Sequence, residues 1–238
     1  MRIALACVPA LALLVFWASP VHALDSAPWE RVLRAHARRG GVDYAQLSED
    51  PEARADLERF LQSVASMPQS EPLSAWINAY NAVVVSSVLS RWPLRSVQDV
   101  PGFFDRARHR VAGAERTLND IENEIIRVRF PDARVHAALN CGAQSCPPLH
   151  GHAFTEATLD ATLDRLVRAW LASDRHLSVA DGRVRASAIF EWYAADFRRD
   201  GGGSVVGWIR RYAPARVEGI ADDAAVTSMR YDWSINAR

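Results

Sequence analysis

Between Pro72 and Arg91 the chain carries a helical pattern with no clean polar side. Trp76, Ile77, Tyr80, Val83, Val84, Val85, Val88 and Leu89 cover nearly the whole circumference of a helix. Such a helix must be enclosed on all sides, so the sequence predicts a buried central helix, closed by Pro93, with the other elements wrapped around it. Asn78 and Asn81 lie three apart on this helix and hence on one face. Buried amides need partners, so this pair must meet backbone, water, another side chain or a ligand.

The remaining periodicity is mostly helical. Pro28 to Arg39 reads as a helix entered through Pro28 and ended by Gly40-Gly41. Val42 to Tyr44 is a short extended piece. Glu52 to Ala65 places Leu57, Phe60, Leu61 and Val64 on one face. Phe103 to Thr117 is irregular or a hairpin around Gly113. Thr117-x-x-Asp120 and Asn119-x-x-Glu122 both resemble a capping box, opening a helix that turns Ile121, Ile125 and Val128 towards a core. Glu156 to Ser173 is amphipathic, His176 to Ala186 a hairpin turning at Asp181-Gly182, and Ile189 to Arg198 an aromatic-rich helix. Val205 to Tyr212 reads as a further helix, and Val226 to Trp233 alternates like a final strand. Neither a repeat nor a linker divides the chain. The fold class expected is α+β: a single, mostly helical domain over residues 24–238, with a central buried helix and a small, mostly antiparallel sheet.

The first 23 residues read as a signal peptide. Arg2 supplies a positive start, Ile3 to Ala18 is almost wholly apolar, and Val21-His-Ala23 fits a small-x-small cleavage site. Export, to a periplasm or beyond, is therefore expected, with cleavage after Ala23 and no transmembrane segment left in the mature chain. Of the 238 residues, 49% are hydrophobic and 24% charged, which is ordinary globular composition. The 28 basic and 28 acidic side chains cancel, so nothing points to nucleic acid. Every basic residue is arginine.

The stretch Arg134-Val-His-Ala-Ala-Leu-Asn-Cys-Gly-Ala-Gln-Ser-Cys-Pro-Pro-Leu149 gathers the chemistry. Val135, Ala137 and Leu139 alternate with His136, Ala138 and Asn140, as on a strand that ends at Cys141-Gly142. Cys146 precedes Pro147-Pro148, which favours extended backbone. In an oxidising compartment, cysteines spaced like Cys141 and Cys146 are a candidate disulfide first and a reactive pair second.

At these residues the sequence resembles the domain-of-unknown-function 547 family. The matching pieces are Trp76-Ile-Asn-Ala-Tyr-Asn-Ala82, Leu118-Asn-Asp-Ile-Glu-Asn-Glu-Ile-Ile-Arg127 and His136-Ala-Ala-Leu-Asn-Cys-Gly-Ala-Gln-Ser-Cys-Pro147. Phe190-Glu-Trp-Tyr193 with Asp196-Phe197, and Tyr231-Asp-Trp-Ser-Ile-Asn236, match as well. The resemblance spans nearly the whole chain after the leader and implies no particular reaction.

Four chemistries fit the residues. In a cysteine-dependent acyl hydrolase or transferase, Cys141 would be the nucleophile and His136 its base. Glu122 or Asp232 would orient the imidazole, and Asn140, or Asn78 and Asn81, would donate to an oxyanion. A dithiol redox protein would cycle Cys141 and Cys146, although Cys-x4-Cys is not the Cys-x-x-Cys of thioredoxin-like chains. A zinc site would use His136, Cys141, Cys146 and His150, at spacings that match no standard module. A binding or structural module would close a Cys141–Cys146 disulfide, with Asn78 and Asn81 tying the central helix to the loop. Trp76, Tyr80, Cys146 and Asp232 join the two asparagines as candidate binding residues for an unknown small molecule or peptide; no cofactor is implied. For each there is a plainer role. Trp76, Tyr80, Trp192 and Tyr193 fit core and core-edge aromatics, Glu122 a helix cap, and Asp232 a structural acceptor. Arg198, Arg199, Arg210 and Arg211 fit solvated faces, or a cluster for a carboxylate.

Overall fold

The computed structural model describes residues 24–238; the signal-peptide reading lies outside them. Helix α1 (Ala27–His36) takes Pro28 into its first turn and leads into a hairpin of β1 (Ala37–Arg38) and β2 (Gly41–Val42). Helix α2 (Tyr44–Glu49) is capped by Asp43, and α3 (Pro51–Ser66) by Asp50, which accepts from the Glu52 and Ala53 N–H groups. The predicted central helix is α4 (Leu73–Leu89), with fifteen of its seventeen residues buried. Its enclosure follows from its composition, since no face of it offers polar side chains to water.

Strands β3 (His109–Val111) and β4 (Ala114–Arg116) form the hairpin expected around Gly113. The capping box then closes reciprocally: the Thr117 N–H donates to Asp120 Oδ2 at 2.7 Å, and the Asp120 N–H to Thr117 Oγ1 at 3.0 Å. Beyond it, the regular helix that the spacing predicts does not form. Residues Asp120–Ile126 form a wider π-helical turn, with the Arg127 N–H reaching back to the Glu122 carbonyl, before α5 (Arg127–Arg129). The smaller rotation per residue changes the inward set: Ile121, Ile125 and Ile126 are buried, while Val128, expected in the core, is 68% exposed.

The strand expected over Val135 to Asn140 is also absent. Asp132 accepts from the Arg134 N–H, Asp200 accepts from the Ala133 N–H, and Ala133–Ala137 coils into a 3-10 turn. The apparent alternation has another cause. Val135, Ala138 and Leu139 pack into the apolar cluster around α4, while Ala133 and Ala137 pack into a second cluster. The cysteine stretch thus runs along the seam between two cores.

The second cluster is built by α6 (Leu159–Ala172), α7 (Ile189–Trp192), α8 (Ala194–Asp200) and α9 (Val205–Tyr212) over a three-stranded sheet. In that sheet β5 (Leu177–Ala180) pairs antiparallel with β6 (Arg183–Ala186), and β7 (Val226–Ser228) adds parallel to β6. The single helix expected from Ile189 to Arg198 breaks at Tyr193, and the final strand stops at Ser228. Together these elements make an α+β domain that is 51% helical.

The last residues clamp the cysteine loop rather than extend a sheet. The Gln144 N–H donates to the Ser234 carbonyl at 2.8 Å, and the Ser145 N–H to the Asp232 carbonyl at 3.1 Å. The Asn236 N–H returns a bond to the Gly142 carbonyl at 2.9 Å. The same tail crosses β2, where the Val42 N–H meets the Asn236 carbonyl; a Cβ on Gly41 would collide with that oxygen.

A buried histidine gives this core an acid limit. Burial pushes the pKa of His176, beside Trp170, down to about 4. A folded value below the unfolded one means stability fully present above about pH 6.5 and lost as pH falls towards 4. Urea unfolding is expected to show on the order of 2 kcal/mol less stability at pH 4.5 than at pH 7, a loss that His176→Gln reduces.

Candidate functional site

At the seam between the two clusters lies a cleft of about 260 Å³. Its floor is Tyr80 from α4, Glu122 from the π turn and His136 from the 3-10 turn. One wall is the cysteine loop, with Leu139, Cys141, Cys146 and Pro147. The opposite wall and mouth are aromatic: Phe104, Trp192, Tyr193, Tyr231 and Trp233. Trp192, Tyr231 and Trp233 pack on one another with ring centroids 4.6–5.6 Å apart, and Trp192 remains 48% exposed.

Cys141 and Cys146 are joined in a disulfide, with Cα atoms 6.1 Å apart. Gly142 turns the chain at φ +82°, a conformation that favours glycine, so that its N–H reaches Asn140 Oδ1. The Tyr231 hydroxyl sits 3.2 Å from Cys141 Sγ and 3.4 Å from Cys146 Sγ. Bonded sulfurs carry no hydrogen, so the phenol is the donor. Burial, and after it the Glu122 charge, raises the Tyr231 pKa and keeps that proton in place.

His136 is 3% exposed and held by Asp196, Nε2 to Oδ2 at 2.9 Å. An ionised carboxylate only accepts, so Nε2 carries the hydrogen. Asp196 also takes Arg127 Nε at 2.6 Å and Arg199 Nη1 at 3.3 Å. Burial pushes the Asp196 pKa up, but the bonds from His136 and Arg127 outweigh it and hold the carboxyl well below the usual range. Tyr193 stacks on the imidazole at 4.1 Å, and the Arg127 guanidinium lies 4.8 Å from the Tyr193 ring. The second ring nitrogen, Nδ1, makes no hydrogen bond within the described residues and is not sealed from solvent. It is the nitrogen available to the cleft.

Glu122, only 8% exposed, accepts from the Tyr80 hydroxyl at 3.0 Å. Burial raises the Tyr80 and Tyr193 pKa values and the Glu122 charge raises them further, so both phenols stay donors.

The structure thus brings Cys141, Cys146, His136, Glu122 and Tyr80 to one cleft, and places the other sequence candidates elsewhere. Asn81 bridges the Ala138 carbonyl and the Asn140 N–H, and Asn78 bridges both backbone groups of Phe154. Asn140 ties Pro147, Gly142 and Asn236 together. Their amides are spent on backbone and lie off the cleft, so the oxyanion roles considered for them do not fit. Trp76 is fully buried, its Nε1 on the Glu71 carbonyl at 3.2 Å. Asp232 is an exposed acceptor for Ser234, and neither it nor Glu122 orients His136. That residue is Asp196, which sequence reasoning missed along with Tyr231 and Trp233. All three stand in stretches that the sequence reading set beside the family's motifs, which is where a signal was available. The four zinc candidates do not gather: the cysteines are bonded to each other, and His150 packs on His152 and Phe154. Among the described residues, no three His, Cys, Asp or Glu side chains are grouped to hold a metal ion. Arg199 and Arg210 are engaged with Asp200 and Asp222, not with a carboxylate site.

Fold and site together define a disulfide-closed α+β domain with one aromatic cleft at the seam of its two cores. Residues 64–171 match the family described as "Protein of unknown function, DUF547", which supports the assignment that the motifs predict. The curated proteins and the solved structures contain no match to the chain. Among the described residues no helix is long and apolar enough to cross a membrane.

Proposed function

We propose that this is an exported small-molecule-binding protein whose ligand occupies the Glu122–His136 cleft, with the disulfide as one fixed wall. The observation that carries this reading is convergence. A histidine locked by a carboxylate, a buried carboxylate locked by a phenol, and an exposed tryptophan all border one cavity of about 260 Å³. Buried polar groups aimed into an otherwise apolar cleft are what fix a ligand's orientation. The leader-like first 23 residues and the disulfide support export.

The test is a fragment library followed by ligand-observed NMR and tryptophan fluorescence, on wild type and on Trp192→Ala. Saturable binders that weaken by about tenfold or more in Trp192→Ala are expected. Binders that are indifferent to Trp192, or an absence of binders, would remove the reading. Amino-terminal sequencing of protein from the export compartment should begin at Leu24.

A second reading keeps the cysteines reactive, and the position of Tyr231 favours it. A hydroxyl within reach of both sulfurs can donate to the thiolate that leaves when a partner thiolate attacks the disulfide. Two electrons and two protons would yield the dithiol, in which Cys141 shares the cleft with His136 for redox exchange or acyl chemistry. Alkylation mass spectrometry tests it: neither cysteine should label without reductant and both should label after it. Closing so short a loop contributes about 2 kcal/mol, so the reduced protein should melt several degrees lower. Labelling of Cys141 without reductant would contradict the closed disulfide.

A further inference from the structure

We propose that the cleft selects an organic cation, an amine or quaternary ammonium carried on a small apolar body. The inference rests on the binding reading above and goes on to name the ligand's chemistry.

The lining holds a carboxylate but no guanidinium or ammonium group. Glu122 is the acidic side chain among the lining residues, and none of the chain's arginines among the described residues lines it. In a protein whose basic side chains are all arginine, an anion site would be expected to draw on at least one guanidinium. The two arginines that pair with Asp196 are engaged there. Arg127 pairs with Asp196 and packs on Tyr193, and Arg199 pairs with Asp196 and Asp200. His136, the remaining titratable nitrogen base at the floor, is tied through Nε2 to the same Asp196.

The rest of the lining suits a cation equally well. Phe104, Trp192, Tyr231 and Trp233 supply aromatic surface at the wall and mouth, whose faces attract positive charge. Leu139, Ile189, Pro147 and the disulfide supply apolar contact for the body of the ligand. Glu122 is buried yet is satisfied by the neutral hydroxyl of Tyr80, with no ion pair to a lysine or arginine. A buried carboxylate without a cationic partner gains most from a ligand that brings one. Seen from Glu122, the floor is phenol, imidazole and amide (Tyr80, Tyr193, His136, Asn119), with no arginine among them to compete with the ligand.

The test compares three probes of nearly one shape on protein with its disulfide intact: choline, its uncharged carbon analogue 3,3-dimethylbutan-1-ol, and the anion 3,3-dimethylbutanoate. Tryptophan fluorescence and NMR shifts of the indole N–H groups report binding. Choline is expected to bind about tenfold tighter than the alcohol, and the carboxylate more weakly than either. Glu122→Gln should bring choline and the alcohol to within about twofold of each other. Because the wild-type comparison needs no variant, the result stands even if Glu122→Gln fails to fold. Equal binding of choline and the alcohol would overturn the cation inference while leaving the cleft a binding site. Preference for the carboxylate would overturn it too. No saturable response to any of the three would sink the cation inference, leaving the fragment screen to judge the binding reading by itself.

Discussion

Replacing Asn140 with alanine is expected to destabilise the protein by about 3–5 kcal/mol and to disorder the wall of the cleft. The side chain makes three buried bonds: its amide donates to the Pro147 carbonyl at 2.8 Å, and its oxygen accepts from the Gly142 N–H and from Asn236 Nδ2, both at 3.0 Å. Its backbone N–H is in turn held by Asn81 at 2.8 Å. Alanine leaves the Pro147 oxygen and the Gly142 N–H buried without partners, each costing about 1–3 kcal/mol, and frees Asn236 and the tail. Since that tail carries Tyr231 and Trp233, binding should weaken with stability. Chemical denaturation measures the first effect and ligand titration the second. Asn140→Asp separates geometry from charge. It keeps the acceptor for Gly142 and Asn236 but sets a buried carboxylate oxygen against the Pro147 carbonyl, so it should destabilise at least as much as alanine at neutral pH. A loss below about 1 kcal/mol for Asn140→Ala would show that the loop is held by the disulfide and the tail backbone alone.

What the sequence made legible was whatever a single element decides for itself. The burial of α4 follows from its own residues, since no rotation of that helix presents a polar face. The capping box at Thr117 and Asp120 is likewise local. What the sequence concealed were choices made between elements. Glu122 reaches the cleft floor through a π turn, and nothing in Asp120–Ile126 distinguishes that turn from an ordinary helix until Val128 is seen outside and Ile126 inside. The alternation from Val135 to Leu139 imitated a strand because its apolar residues feed two cores rather than one sheet face. Asn78 and Asn81 stand out in the sequence as polar groups needing partners. Their partners proved to be backbone, because irregular segments such as 138–142 leave N–H and carbonyl groups that no ladder satisfies. The orienting carboxylate lies sixty residues beyond His136, in the helix that follows the break at Tyr193, whose ring stacks on the imidazole.

Replacing Asp196 with asparagine should cost about 2–4 kcal/mol at neutral pH, and the cost should vanish in acid. Asp196 is 11% exposed and joins His136 and Arg127, which come from different elements, so it fixes the imidazole and the end of the π segment at once. Asparagine can keep an oxygen where Oδ2 accepts from both His136 and Arg127, but it turns an NH2 towards the Arg199 guanidinium and leaves Arg127 without its counter-charge. The figure lies below that of a fully enclosed pair because Arg127 keeps some contact with water, its side chain being 23% exposed. The pH dependence comes from the direction of the shift. The native carboxyl has a pKa below its unfolded value, so its stabilisation is complete above the ordinary carboxylate range. It declines as pH falls through about 4, where the unfolded chain protonates first, and is gone once the native group protonates. Unfolding curves of wild type and Asp196→Asn should therefore be well separated at neutral pH, draw together as pH falls below about 4, and converge only where the native carboxyl itself protonates, well below the usual carboxylate range. The consequence for the site can be read separately from stability. With Nε2 no longer tied to a carboxylate, the His136 ring resonances should change their tautomer signature in nitrogen NMR while the protein is still folded. An imidazole spectrum unchanged in the folded variant would mean that Tyr193 and Phe197, packed on the ring, hold it without Asp196.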